Sequence, residues 1–336
     1  MAFADLKIAV TGATGRAGQA VRTILADDHR VRADNVRLLE HGGEEAIISE
    51  YAGQATLIGA LDPEALEDRD LVFLCGTASE SASCLLWHRK RGSLFVDLSG
   101  AAAARGESPV VNLAVSGAAL DGRPPTVAAP HALSYALSTL LAPLEGAAGV
   151  VSTVAVVHRP AADFGEAGLE ELHKQTVSLL NFGEVPKQTY GRQIAFNLVP
   201  QTLLDEGDGG EPGLDERVSA EIRRILGWPD SRAAVRVLIA PVFHGHTGLL
   251  HVKPARKMSM REVAEALKSV KGVAVTASAR AAPTPVEIAE RPELVVVSIA
   301  PDGGEAGDFW IWLAGGDLPT HAARNAVEIA ARVLGG

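Results

Sequence analysis

Hydrophobic positions along the first hundred residues fall into short unbroken runs separated by helical spacings. LKIAVT (residues 6–11) is apolar enough for a strand buried on both faces. RAGQAVRTILADD, which follows it, puts Val21, Ile24 and Leu25 on one helical stripe. VRLL and ATLIG predict two more strands, DLVFLC a further one with SASCLLWHRK as its helix, and SLFVDLS another. TVAAPHALSYALSTLLAPL (126–144) reads as strand, proline, helix. This alternation predicts an α/β doubly wound parallel sheet.

Past residue 148 the rhythm changes. GVVSTVAVVHR predicts a long strand and EAGLEELHKQTVSLL a helix, with EGDGGEPG as a surface loop. AAVRVLIAPVFHGHTGLLHVK reads as long strands, MREVAEALKSV as a helix, and LVVVSIA and FWIWLA as strands joined by the turn-rich PDGGEAGD. An α+β second domain with an antiparallel sheet is therefore expected. In the terminal helix Ala322, Ala326, Ile329, Ala330 and Val333 share a face that must dock.

The stretch VTGATGRAG joins the first strand to the first helix and spaces Gly12, Gly15 and Gly18 three apart. Such a loop lets backbone approach a pyrophosphate and aims helix amides at it. The same glycines also suit plain strand–helix packing, and both readings stand at this point. The candidate dinucleotide contacts are Gly12, Thr14, Gly15, Arg16 and Ala17, with Gly76 just beyond the DLVFLC strand. Glu40 ends the second strand, where a carboxylate can accept from a ribose 2′-hydroxyl and repel a 2′-phosphate, favouring NAD over NADP. EHGGEEA is equally a solvated turn. The expected layout is a Rossmann-type domain over 1–130 completed by 320–336, and a dimerisation domain of substrate type over 131–319.

Composition narrows the chemistry. A net charge of −10 and the lack of a dense basic run argue against a nucleic-acid partner. No apolar run approaches the roughly 20 residues of a membrane helix, and MAFADLKIAVTG enters a strand with no leader pattern, so a cytoplasmic protein is expected. Two cysteines, Cys75 and Cys84, indicate neither a disulfide framework nor a cysteine metal site. Cys75, at a strand end, is a reactive thiol or a small apolar filler; Cys84 reads as core.

The helix starting near residue 132 is a favoured seat for a nucleophile, because first-turn amides depress a thiol pKa. Its first residues are His131, Ala132 and Leu133, with no cysteine. Ser134 leaves from another face and would need an activating base. His244 and His246 alternate, which on a strand places both on one face. No third metal ligand is evident beside them, so no metal is expected.

The glycine loop, APHALSYAL, GRQIAFNLVP, APVFHGHTG and NAVEIAARVL occur in an order that resembles aspartate-semialdehyde dehydrogenase over nearly the whole chain. GRQIAFNLVP and PVFHGH look most like the Usg-type paralogues, which lack the catalytic cysteine. The resemblance implies reduction of an aspartyl phosphate through a cysteine thioester, with NADPH and a histidine acid/base, in a dimer. His246 matches the base position, and Ala132 stands where the nucleophile belongs. Other site positions depart as well. The arginine that grips the substrate carboxylate is matched by Ile239, and the phosphate-binding arginine by Ala103, with Arg105 nearby. The substrate-orienting glutamine is matched by Arg159, and the small cofactor-touching loop by Ala162, Asp163, Phe164 and Gly165. A Glu-x-x-Lys substrate pair falls on Leu214 and Arg217, and the turn that binds the NADP phosphate becomes EHGGEE.

Two readings follow. One is a catalytically silent paralogue that binds a small molecule or a partner. The other is an NAD(P)-dependent oxidoreductase acting on another semialdehyde or carbonyl substrate, with His246 as acid/base. Family resemblance gives NADP as cofactor, Glu40 on the ribose gives NAD, and a silent paralogue need retain neither. VVSTVAVV and FWIWLA offer the apolar faces a homodimer interface wants.

Overall fold

Ile8, Ala9 and Val10 have essentially no exposed surface, and neither do Leu71, Val72, Phe73 and Leu74 beside them. Strands buried on both faces need helices on both sides, and the chain supplies them. The computed structural model describes residues 3–42, 47–87, 90–204, 213–276, 282–289, 291, 293–303 and 307–335. Its elements begin with β1 (Ile8–Thr11), α1 (Arg16–Asp27), β2 (Val36–Glu40), β3 (Ile47–Tyr51), β4 (Gln54–Ala60), α2 (Pro63–Glu67) and β5 (Leu71–Leu74). They continue with α3 (Ala78–Leu86), β6 (Leu94–Asp97), α4 (Ala101–Ala104), α5 (Leu113–Ser116), β7 (Thr126–Ala128) and α6 (Ala132–Ala148). Next come β8 (Val150–Arg159), α7 (Gly165–Leu180), β9 (Val199–Pro200), α8 (Leu214–Leu226), β10 (Ala233–Ile239) and β11 (His246–Pro254). The last are α9 (Met260–Lys268), β12 (Val273–Val275), α10 (Pro285–Ile288), β13 (Leu294–Pro301), β14 (Phe309–Gly315) and α11 (Leu318–Leu334). Two units result: Met1–Tyr135 with Pro319–Gly336, and Ala136–Leu318.

The first unit is a Rossmann-type sheet in the order β3-β4-β2-β1-β5-β6-β7. Every pairing in it is parallel except β3 with β4. Strand β3 is an element that the hydrophobic pattern misses. Its outward pair Ile48 and Leu57 remains exposed, so no period marks a core face. Helix α11 completes this unit: Ala326, Ile329, Ala330 and Val333 join the core formed by β1, β2 and β5. The Asn325 side chain clasps the chain before α5, donating to the Val111 carbonyl at 2.9 Å and accepting from the Leu113 amide at 2.8 Å. That clasp explains why a buried asparagine opens NAVEIAARVL.

The second unit holds a sheet in the order β12-β13-β14-β11-β8-β10-β9. It is rich in antiparallel pairs, but β8/β10 and β12/β13 run parallel. The first parallel pair arises because α7 and α8 lie between β8 and β10 in the chain, a crossover rather than a hairpin. Along β10 the amides of Val235 and Val237 are taken by Ser219 Oγ and Asp215 Oδ1 of α8, so part of this edge is capped by side chains. One face of the sheet stays open. Val156, Leu249 and Trp312 form a cross-strand row on it, with Val154 47% and Trp312 42% exposed. Among the described residues no helix is long and apolar enough to cross a membrane.

Candidate functional site

In the first unit the glycine loop separates into buried and open positions. Gly12 has φ +58° and lies against Gly76, where an added Cβ would come within 2.4 Å of backbone. A Cβ on Gly18 would meet the Gly12 carbonyl at 2.1 Å. Both glycines are thus required by packing alone. Gly15 is different: its φ is −70°, and an added Cβ would meet only the Gly12 carbonyl, at 3.4 Å. Thr14, Gly15 and Arg16 form the exposed tip, while Ala17 is half-buried against the core. The amides of Ala17 and Gly18, in the first turn of α1, have no acceptor among the described residues. An open tip with unspent helix amides, and a glycine that the fold itself does not require, fits the pyrophosphate of a dinucleotide.

Glu40 closes over this loop. Its Oε2 accepts from the Thr14 amide at 2.9 Å and from Thr14 Oγ1 at 2.7 Å. The carboxylate therefore sits at the end of β2, against the loop, where a dinucleotide ribose lies in such sheets. The turn after it falls partly outside the described residues.

The start of α6 is a capped helix end. His131 Nδ1 accepts from the Leu133 amide at 3.2 Å, so imidazole takes the role of an N-terminal cap. Ala132 is 8% exposed and carries only a methyl group. Ser134 is wholly buried, and among the described residues its Oγ has no hydrogen-bond partner, hence no base to activate it. Neither cysteine is poised to react. Burial and nearby Asp97 push the Cys75 thiol far above its usual range, and burial with Glu80 raises Cys84 to about 12.

In the second unit the histidines part company. Gly245 has φ +86°, which breaks strand alternation just before β11. His244 is consequently exposed in the loop, whereas His246 is 2% exposed. The two do not share a face, which corrects the expectation from their spacing. No group of three or more potential metal ligands occurs among the described residues.

His246 Nε2 lies 2.9 Å from Asp163 Oδ2. Arg159 Nε donates to that same oxygen at 2.8 Å, and Arg159 Nη1 donates to Gln201 Oε1 at 2.8 Å. The Arg159 guanidinium also lies 4.8 Å from the centre of the Phe164 ring, which packs edge-on against Tyr190. Two backbone bonds build the cluster: the Ala161 and Ala162 amides donate to the carbonyls of Val242 and Phe243, at 2.8 and 3.0 Å. They dock the turn bearing Asp163 onto the loop that leads to His246. Burial alone would raise the Asp163 carboxyl; His246 and Arg159 outweigh it and hold the group well below the usual carboxylate range. His246 Nδ1 is buried with no hydrogen-bond partner among the described residues. Sequence spacing could not have found this cluster, because His246 and Asp163 are 83 positions apart.

GRQIAFNLVP is held by α7. Gln175 Oε1 accepts from the Ile194 and Ala195 amides at 2.8 and 3.0 Å, and its Nε2 donates to the carbonyls of Pro186 and Arg192. Glu171, one turn earlier, accepts from the Thr189 and Tyr190 amides. The motif is a clamped loop. Of the other family-matched positions, Ile239 is fully buried, Ala103 is 9% exposed and Arg105 is exposed. Arg217 pairs with Glu221 at 2.9 Å.

Comparison with known proteins gives the family of the chain. Residues 141–318 match the model described as "Semialdehyde dehydrogenase, dimerisation domain", and residues 7–122 match "Semialdehyde dehydrogenase, NAD binding domain". A USG-1 protein homolog of Azotobacter vinelandii is 28% identical over 97% of this chain and 96% of its own. The aspartate-semialdehyde dehydrogenase of Corynebacterium glutamicum is 28% identical over 96% of this chain and 98% of its own. The structure of a probable aspartate-semialdehyde dehydrogenase from Pseudomonas aeruginosa superimposes with a TM-score of 0.85 at 25% identity, covering 98% of each chain.

Proposed function

This chain belongs to the semialdehyde dehydrogenase family, and from that premise we propose that it is a catalytically silent, Usg-type member that retains a dinucleotide site. The observation that carries the reading is Ala132. The capped start of α6 presents a methyl group where the family chemistry forms its thioester, and the two thiols of the chain are buried elsewhere. Without a bond-forming atom there is no covalent step. Deleting a nucleophile has cost another hydrolytic enzyme roughly a millionfold in rate. The contact of His246 Nε2 with Asp163 involves one ring nitrogen only, so the silent reading rests on Ala132 and not on the histidine.

For the dinucleotide we propose NAD ahead of NADP. Gly15, Arg16 and Ala17 would hold the pyrophosphate, and Gly12 and Gly76 keep the loop flat beneath it. The Glu40 carboxylate would accept from a 2′-hydroxyl and repel a 2′-phosphate. When bound, the nicotinamide supplies hydride chemistry; the residues named here position it. We further propose a homodimer formed through the open face of the second sheet.

The open glycine loop favours one alternative, an NAD(P)-dependent oxidoreductase for a carbonyl substrate that needs no thioester, with His246 as acid/base. Titrating the purified protein with NAD and NADP by calorimetry, then assaying phosphate-dependent oxidation of aspartate semialdehyde, tests both. Binding with NAD preferred and no turnover supports the proposal. Turnover at ordinary dehydrogenase rates refutes the silent reading.

A further inference from the structure

Arg159 and Asp163 stand at two positions where the family pattern has uncharged residues, and they contact each other. Asp163 Oδ2 receives Arg159 Nε at 2.8 Å and lies 2.9 Å from His246 Nε2. The side chains of Asp163 and His246 are 7% and 2% exposed, and that of Arg159 is 13% exposed. One guanidinium donor and one imidazole nitrogen, from different strands, converge on a single carboxylate oxygen, an arrangement that a binding site also uses to grip a carboxylate. Gln201 Oε1 accepts from Arg159 Nη1, so the guanidinium is held from a second side while its Nε meets Asp163.

We infer that Arg159 and His246 form a carboxylate-accepting position, and that Asp163 fills it as a built-in anion. The site is thereby closed to external acidic ligands in the native chain. Removing the Asp163 carboxylate opens a space of matching size and charge for a small monocarboxylate. The inference depends only on the second unit and stands whether or not the chain turns over a substrate.

The test is chemical rescue of D163A by formate, which replaces the deleted carboxylate. Leaving Arg159 and His246 without their counter-ion should lower the melting temperature by on the order of 10 °C at neutral pH. Formate at tens of millimolar should restore at least half of that loss, saturably. Chloride at equal ionic strength and neutral formamide should not, and neither should formate act on the wild-type protein. The double variant R159Q/D163A should show no recovery with formate. Should D163A fail to fold, its refolding yield from urea in formate against chloride gives the same reading. D163N, which keeps the shape without the charge, should be indifferent to formate. A D163A protein as stable as wild type overturns the inference. So does recovery that chloride reproduces, recovery that persists in R159Q/D163A, or no recovery by formate.

Discussion

At the scale of single residues, the silent reading proposed above rests on Ala132, whose methyl group offers no atom for a covalent step; Asp163 Oδ2 lies 2.9 Å from His246 Nε2. Because the Asp163 carboxyl is depressed in the folded chain, it stabilises fully above the ordinary carboxylate pKa of about 4, and that stability drains away as pH falls below it. Melting temperature followed from about pH 6 to pH 2.5 should therefore fall more steeply for wild type than for D163N, the gap between the two curves narrowing steadily below about pH 4. Curves that stay parallel would show that Asp163 carries no net electrostatic stabilisation. Gly15 separates ligand from fold in the same way. G15A should melt within about 2 °C of wild type yet bind NAD at least about tenfold more weakly by calorimetry. G18A, whose Cβ would meet the Gly12 carbonyl at 2.1 Å, should be strongly destabilised instead. Equal NAD affinity in G15A and wild type would return the loop to a packing role.

Elements show where sequence reading succeeds and where physics hides the answer. The doubly buried β1 and β5 and the amphipathic α1 and α11 were legible, because their apolar period is set by the face they bury. Strand β3 was not. Its hairpin turns at Ala52 and Gly53, both at positive φ, and alanine is not a residue that announces such a turn. The shared face for His244 and His246 failed for a related reason: one glycine at φ +86° overrides strand alternation, and spacing alone does not reveal φ. The loop between β1 and α1 and the helix start at Ala132 were legible as local structure, because their residues are adjacent in the chain. The Arg159–Asp163–His246 cluster was invisible because long-range docking assembles it. Helix α7 supplies another such hidden device. Q175A removes the acceptor of two buried amides and should cost about 3 kcal/mol in urea unfolding. It should also sensitise residues 184–198 to protease; unchanged cleavage would mean that the loop holds itself.

At the scale of the molecule, each unit has its own sheet, and the second leaves an apolar face open. Val154, Val156, Leu249 and Trp312 make a patch of the kind that soluble chains usually cover. Placing a charge in it with W312K should convert a homodimer to a monomer in sedimentation velocity without unfolding it. A variant that sediments like wild type would move the interface elsewhere. Family membership fixes the scaffold; the proposed silence rests on the side chain at 132. The most direct measurement is intact-protein mass spectrometry after incubation with aspartate semialdehyde, phosphate and each dinucleotide. The account requires an unchanged mass throughout. A substrate-derived acyl adduct on any side chain of this protein would contradict it.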